Sequence, residues 1–464
     1  MSPKYLQYCY NSLSLIIIGF VVVVIQIIDG GAGSIWGLNF KQINFGDISF
    51  YTIIVSLSLM IQIFLLFIMS RMVFKIRKTS SRSAQIFPYL YVVSQIIVAL
   101  LVASLLLQQL LTDRYSILLS KLIVGLSFMV SAAIIGSLAY TCMKSYRSTK
   151  SKMTGVYAFA IIALSVQLMS AFVYVEAGLN KRPEYISSER NPWSSFFVTP
   201  LLDNLMSIYN ATKLTSFLAI WVASIMLTRT YAQKTSKVKY WVIVSLPLIY
   251  LAIQYCLVLL NQMGALSSLM ISPESLFPYF YNFVASTTNV VSGLTIGISF
   301  FILSRSLAYE HLKYFIIMCG TGIMIIYSSS VSQVLVLATF PAWSIVSITF
   351  ILPASFLTLI GLGSATLHIS SDIELRRYLH KFRTQFELFT ALSSEEGTAA
   401  VKRKIQNLSK KIYDNLENET LFVGKPDPLD IKEYVSVILT EIKKTGKISD
   451  QPESNYSDRN NRTE

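Results

Sequence analysis

Charge is scarce in this sequence: Asp, Glu, Lys and Arg make up 14% of its 464 residues, where soluble globular domains carry roughly 25%. With hydrophobic residues at 53%, the chain has too little polar surface to face water on all sides and needs lipid. Histidine is rarer still at three residues, and the four cysteines, Cys9, Cys142, Cys256 and Cys319, stand alone in apolar surroundings. Neither a disulfide framework nor a thiolate metal site can be read from such spacing, and single cysteines in apolar runs are usually small core residues. No HExxH, GxxxxGK(S/T), GxSxG, paired-carboxylate or Cys/His cluster occurs. Metal, phosphate-loop and nucleophile chemistry have nothing to stand on, so no enzyme activity and no cofactor are expected.

Long apolar runs are what the sequence has in abundance. A bilayer core about 30 Å thick asks for ~20 apolar residues per helix, and backbone groups in lipid must be satisfied within a helix or a closed barrel. Runs of that length lie near 11–29, 51–71, 87–110, 117–141, 155–176, 212–229, 240–260, 282–304, 314–338 and 344–367. They predict an all-α membrane bundle of about ten spans over residues 1–368. The first run follows a polar start with only Lys4 and reads as a span rather than a cleaved leader.

Positive charge follows these spans. Arg71, Lys75, Arg77, Lys78 and Arg82 come after the second, and Lys144, Arg147, Lys150 and Lys152 after the fourth. Arg229, Lys234, Lys237 and Lys239 come after the sixth, and Arg305 and Lys313 after the eighth, while the opposite linkers hold only Lys41, Arg114, Lys181, Arg182 and Arg190. Lys and Arg are retained in the cytoplasm during insertion, so both termini are expected there, in a multi-pass plasma-membrane protein whose first partner is the lipid bilayer. Topology therefore accounts for the net charge of +14, and no nucleic acid is expected. Phe50, Tyr51, Tyr115, Tyr209, Tyr279, Tyr281 and Trp343 fall at the outer ends, where amphipathic rings favour the headgroup region.

Charged groups at membrane depth are costly and mark function by default. Asp29, Lys121, Glu176 and Lys213 all lie within about a turn of an outer end, where snorkelling to water is the ordinary reading. The sharper one is an outer ion pair of Lys121 with Glu176 or Asp29. Among uncharged polar residues, Gln62, Gln95, Gln167, Gln254, Asn289 and Gln333 lie within spans and read first as interhelical hydrogen-bonding groups. Asn289, Ser329, Gln333 and Gln254 form the candidate intramembrane polar site, with Ser329 and Gln333 in the run Tyr327–Gln333. Gly293 and Gly297 form a GxxxG motif that permits close helix approach. Pro247 and Pro353 each remove a backbone donor within a span. On the outer side, Asn210-Ala-Thr matches a glycosylation sequon close to the sixth span.

From residue 369 the chain turns charged and helical. Leu375, Leu379, Phe382, Phe386 and Phe389 repeat at helix-pairing intervals, and Val401, Ile405, Leu408 and Ile412 make a second apolar face. A third short helix is predicted from about Leu429 to Lys444, with Asp427 and Pro428 at its start and Gly446 past its end. Residues 369–445 thus read as a cytoplasmic helical segment and 446–464 as disordered. The segment's seams predict self-association or pairing with a cytoplasmic protein.

Arg376–Phe386, RRYLHKFRTQF, is similar to the phosphoacceptor box of sensor histidine kinases at His380. It departs from that box at Lys381, where an acidic residue is usual, and at Gln385, where a Pro is usual. The residues that follow hold no ATP-binding domain, so the stretch reads as a basic juxtamembrane helix. The tail as a whole, LRRYLHKF with VKRKIQNLSKKIYDNLENET and DIKEYVSVILTEIKK, resembles the C-terminal region of uncharacterised multi-spanning membrane proteins of ammonia-oxidising archaea. That resemblance implies an archaeal plasma-membrane protein, and it brings no activity or site with it.

The residues point to membrane sensing or signal relay through the tail. A secondary transporter for a neutral or weakly polar solute is the alternative, and a membrane-complex assembly or structural factor the third reading.

Overall fold

Each backbone N–H and C=O in a bilayer needs a partner within the chain, so uninterrupted apolar runs become helices. The computed structural model describes residues 3–36, 45–76, 86–150, 152–187, 200–232, 237–263, 277–305, 307, 309–329, 335–336 and 340–371. Its helices are α1 (Pro3–Trp36), α2 (Phe45–Ile76), α3 (Ile86–Thr112), α4 (Ile117–Thr149), α5 (Lys152–Leu179) and α6 (Pro200–Ala232). They continue with α7 (Lys237–Gln262), α8 (Phe277–Arg305), α9 (Glu310–Ser328), α10 (Ile345–Thr349) and α11 (Ile351–Ser371). A short antiparallel ribbon pairs β1 (Arg114–Ser116) with β2 (Tyr185–Ser187), setting Tyr115 opposite Ile186.

Among the described residues, six stretches are long and apolar enough to cross a membrane: Leu13–Ala32, Ser49–Ser70, Phe87–Thr112, Ile117–Ser148, Lys152–Leu179 and Ile345–Ala365. They fall on the first five and the last of the expected spans. Val244–Leu257, Asn289–Arg305 and Leu312–Ser328 are shorter apolar stretches of α7, α8 and α9. The chain is a membrane-embedded, helical protein, with a small ribbon that composition did not announce. Residues 372–464, with the expected tail helices and His380, lie outside the described residues.

The last span sits at the centre. Of the most apolar 18 residues of Ile345–Ala365 94% are buried, against 33% of those of α2 and of α3. α11 lies against α9, α4, α3 and α2, and α9 in turn lies against α8 and α1. Close approach explains how the centre holds so many helices. A Cβ at Gly293 would come within 2.7 Å of the Met324 carbonyl oxygen, and one at Gly361 within 2.5 Å of the Cys319 nitrogen. The GxxxG of α8 therefore seats on α9 as its spacing predicts, and α9 meets α11 through a second glycine contact. α2 and α3 stay peripheral, with Met60, Leu100 and Leu111 turned outward.

Two of the expected spans are cut short or interrupted. The ninth run was expected to reach 338, but α9 closes at Ser328. There the hydroxyls of Ser328 and Ser329 both donate to the Ile325 carbonyl, at 3.1 and 2.7 Å, beside the Ser329 amide at 2.9 Å. The tenth run is interrupted at Phe350, between α10 and α11. Pro353 lacks the N–H that would reach the Thr349 carbonyl, so the ladder is broken one turn before it. Pro247, by contrast, lies inside a continuous α7.

Candidate functional site

The residues before α10 form a buried elbow. Phe340–Pro341 is a cis peptide, and Ser344 adopts a left-handed conformation with φ 69°. Such a segment exposes backbone N–H groups at the start of a helix, where no earlier carbonyl reaches them. Asp29 of α1 supplies the missing acceptor. Ser344 N–H donates to Asp29 Oδ1 at 3.0 Å, Ser347 N–H donates to Oδ2 at 2.9 Å, and Ser347 Oγ donates to Oδ2 at 2.7 Å. The carboxylate is 0% exposed. The expectation that Asp29 snorkels to water is thereby corrected: its charge is met by two amides and a hydroxyl from the far end of the sequence.

Other side chains converge on the same segment. Tyr51 of α2 donates to the Ala342 carbonyl at 3.2 Å, and its ring stands edge-on to Trp343 with centroids 5.0 Å apart. Gln62 Nε2 donates to Thr349 Oγ1 at 2.7 Å, and Gln95 Nε2 of α3 donates to Gln62 Oε1 at 3.0 Å. Gln62 and Gln95 thus join helices as their positions predicted. Gln26 Nε2, one turn before Asp29, donates to Ser329 Oγ at 2.6 Å. Gln109 of α3 approaches the Tyr51 hydroxyl, but neither its Oε1 nor its Nε2 meets hydrogen-bond geometry, and the Ser344 Oγ is likewise buried without a bond.

The ribbon covers this elbow. Tyr115 of β1 is 1% exposed and stacks on Phe340 with centroids 6.2 Å apart. Arg182, between α5 and β2, donates through its guanidinium to the Val336 carbonyl. Burial lowers the Arg182 pKa from its ordinary value, and Tyr115 opposes that shift. Burial likewise pushes the Tyr115 phenol up, with Arg182 opposing.

The expected outer ion pair is not assembled. Lys121 Nζ donates to Asn180 Oδ1 at 2.5 Å, Glu176 is half-buried at the end of α5, and Asp29 faces the elbow. Of the candidate polar site, Ser329 is buried and holds the Gln26 amide, and Asn289 is buried on α8 one turn from Gly293. Gln254 is half-buried on α7, one turn from Tyr250, whose hydroxyl shares a 2.5 Å hydrogen bond with Thr287 of α8. Gln333 lies outside the described residues. What the sequence does not announce is the partnership of Gln26, Asp29, Tyr51 and Arg182 with Ser329, Val336, Ala342, Ser344 and Ser347. No local signal points to it, since Ser344 is itself a residue type that caps helices and Asp29 lies 315 positions away.

Chemically, the arrangement is an anchor. Its carboxylate is filled by backbone and hydroxyl donors, its aromatics pack on one another, and among the described residues no cluster of His, Cys, Asp or Glu is arranged to hold a metal ion. Comparison of the chain with protein-family models, curated proteins and solved structures finds no match.

Proposed function

We propose that the protein senses a signal at the Asp29 end of the bundle and relays it along α11 to the helical tail expected after residue 371. One observation carries this reading: the helix that leads toward the tail is the most enclosed of the apolar stretches, and α1, α2 and the ribbon all grip the elbow at its start. Packed interiors repack between discrete arrangements rather than deforming continuously, so a change in that grip would move α11 as a unit. The charge pattern of the linkers supports an outward-facing Asp29 end and a cytoplasmic tail.

Transport is the second reading, favoured by buried Asn289 and Ser329 and by the interrupted last span. In transporters with broken helices, the exposed half-helix start points at substrate. Here Asp29 already occupies that position, which ranks relay first.

Hydrogen–deuterium exchange on the full chain in nanodiscs tests the order. Arg182→Ala loosens the ribbon from the elbow, and relay requires altered protection in residues 372–445 with α7 unchanged as the control. Unaltered tail exchange, or solute uptake by proteoliposomes that Asn289→Leu abolishes, would sink the relay reading.

A further inference from the structure

The opposite end of the bundle carries a feature that neither relay nor transport uses. A groove of about 660 Å³ opens between α4, α5 and α6, walled by Phe159, Leu218 and Val222 and closed toward the α4–α5 turn by Tyr146 and Lys152. That volume lies in the range of pockets that enclose a small ligand. Its walls are almost wholly apolar. Phe159, Leu218 and Val222 are 55%, 39% and 40% exposed, so they face the membrane rather than another helix of this chain.

The mouth of the groove is built differently. Gly155 leaves room for the Tyr146 ring, which a Cβ there would meet at 2.8 Å. Lys150 Nζ stands 6.0 Å from the centroid of the same ring. Lys150, Lys152 and Arg147 are exposed around it. No Asp or Glu occurs from Arg114 to Val175, or from Asn204 to Pro273, so the stretches of α4, α5 and α6 that line the groove offer these cations no acid.

We propose that this groove binds one anionic membrane lipid, its hydrocarbon chain lying along Phe159, Leu218 and Val222 and its phosphate headgroup held by Lys150 and Lys152. The occupant follows from the two halves together. An apolar helix of another protein would fill the walls but leave the cations unmatched, and a free phosphate would match the cations but leave the walls bare. A lipid with a negative headgroup meets both, and cations at a membrane surface favour anionic over neutral headgroups.

Delipidated full-length protein in detergent, titrated with phosphatidylglycerol or phosphatidylcholine and read by native mass spectrometry and thermal unfolding, tests the proposal. The expected result is one retained phosphatidylglycerol per chain, preferred about tenfold over phosphatidylcholine. Lys150→Gln with Lys152→Gln should bring the two lipids to near parity. Val222→Trp and Leu218→Trp, each filling the groove from a membrane-facing position, should abolish retention while circular dichroism stays unchanged. Equal retention of both lipids by the unaltered chain overturns the proposal, as does retention by either folded tryptophan variant. Stabilisation by glycerol phosphate equal to that by the lipid overturns the hydrocarbon half. A dimer that Val222→Trp dissolves, with no lipid retained, gives the groove to a second copy instead.

Discussion

A carboxylate deep in an apolar bundle is costly unless donors surround it, and the backbone amides it serves are costly in turn if it is removed. Asp29 therefore matters more than any one of its hydrogen bonds. Asp29→Ala leaves the Ser344 and Ser347 amides without acceptors, a loss of about 2 kcal/mol or more, since each unsatisfied buried group costs roughly 1–3 kcal/mol. Ser347→Ala removes only the hydroxyl bond, worth about 1 kcal/mol, because the Ser347 amide still reaches Oδ2. Thermal unfolding of the two variants in the same detergent should rank them in that order, and equal losses would mean that the amides find other partners. Hydropathy placed Asp29 near the end of an apolar run. It was silent on rotation about the helix axis, and the residues Asp29 meets lie 315 and 318 positions away in sequence. No local pattern encodes a contact that distant.

At the scale of elements, glycine decides which helices share the centre. The motif at Gly293 and Gly297 was legible because its four-residue spacing is itself the signal, whereas the contact of α9 with α11 pairs single glycines on two helices and has no spacing to detect. Gly361 and Gly363 stand two residues apart on α11 and separate the effects of packing and propensity. A Cβ on Gly361 would strike backbone of α9, at 2.5 Å from the Cys319 nitrogen and 2.8 Å from the Phe315 oxygen, while one on Gly363 meets nothing within 4 Å. Backbone does not yield as a flexible side chain does, so Gly361→Ala should destabilise by about 1–3 kcal/mol, the usual range for overpacking. Gly363→Ala should be neutral or slightly stabilising, because alanine favours helix over glycine by up to about 1 kcal/mol. Unfolding midpoints that fail to separate the two variants would remove α9–α11 contact as the organising feature. Six spans follow from length and apolarity alone, but the break before α11 depends on Pro353 acting at a single position, which a window average erases.

For the whole molecule, the governing quantity is the direction of insertion. α4 has 33 residues and at 1.5 Å per residue spans about 50 Å, so its two ends lie on opposite sides of any bilayer that it crosses. One end carries Arg147, with Lys150 and Lys152 in the turn that follows; the other adjoins the ribbon and Lys181. Retention of cations in the cytoplasm then predicts which end is which. Ser148 and Lys181 are both exposed, and single cysteines placed there in a chain whose own four cysteines are replaced by Ala report the two sides. A membrane-impermeant maleimide added to intact cells should label Lys181→Cys and spare Ser148→Cys, and inside-out vesicles should reverse the pattern. Labelling of Ser148→Cys from outside would invert the molecule. It would put the Asp29 elbow in the cytoplasm and the expected tail outside, and the proposed direction of relay would fall with it.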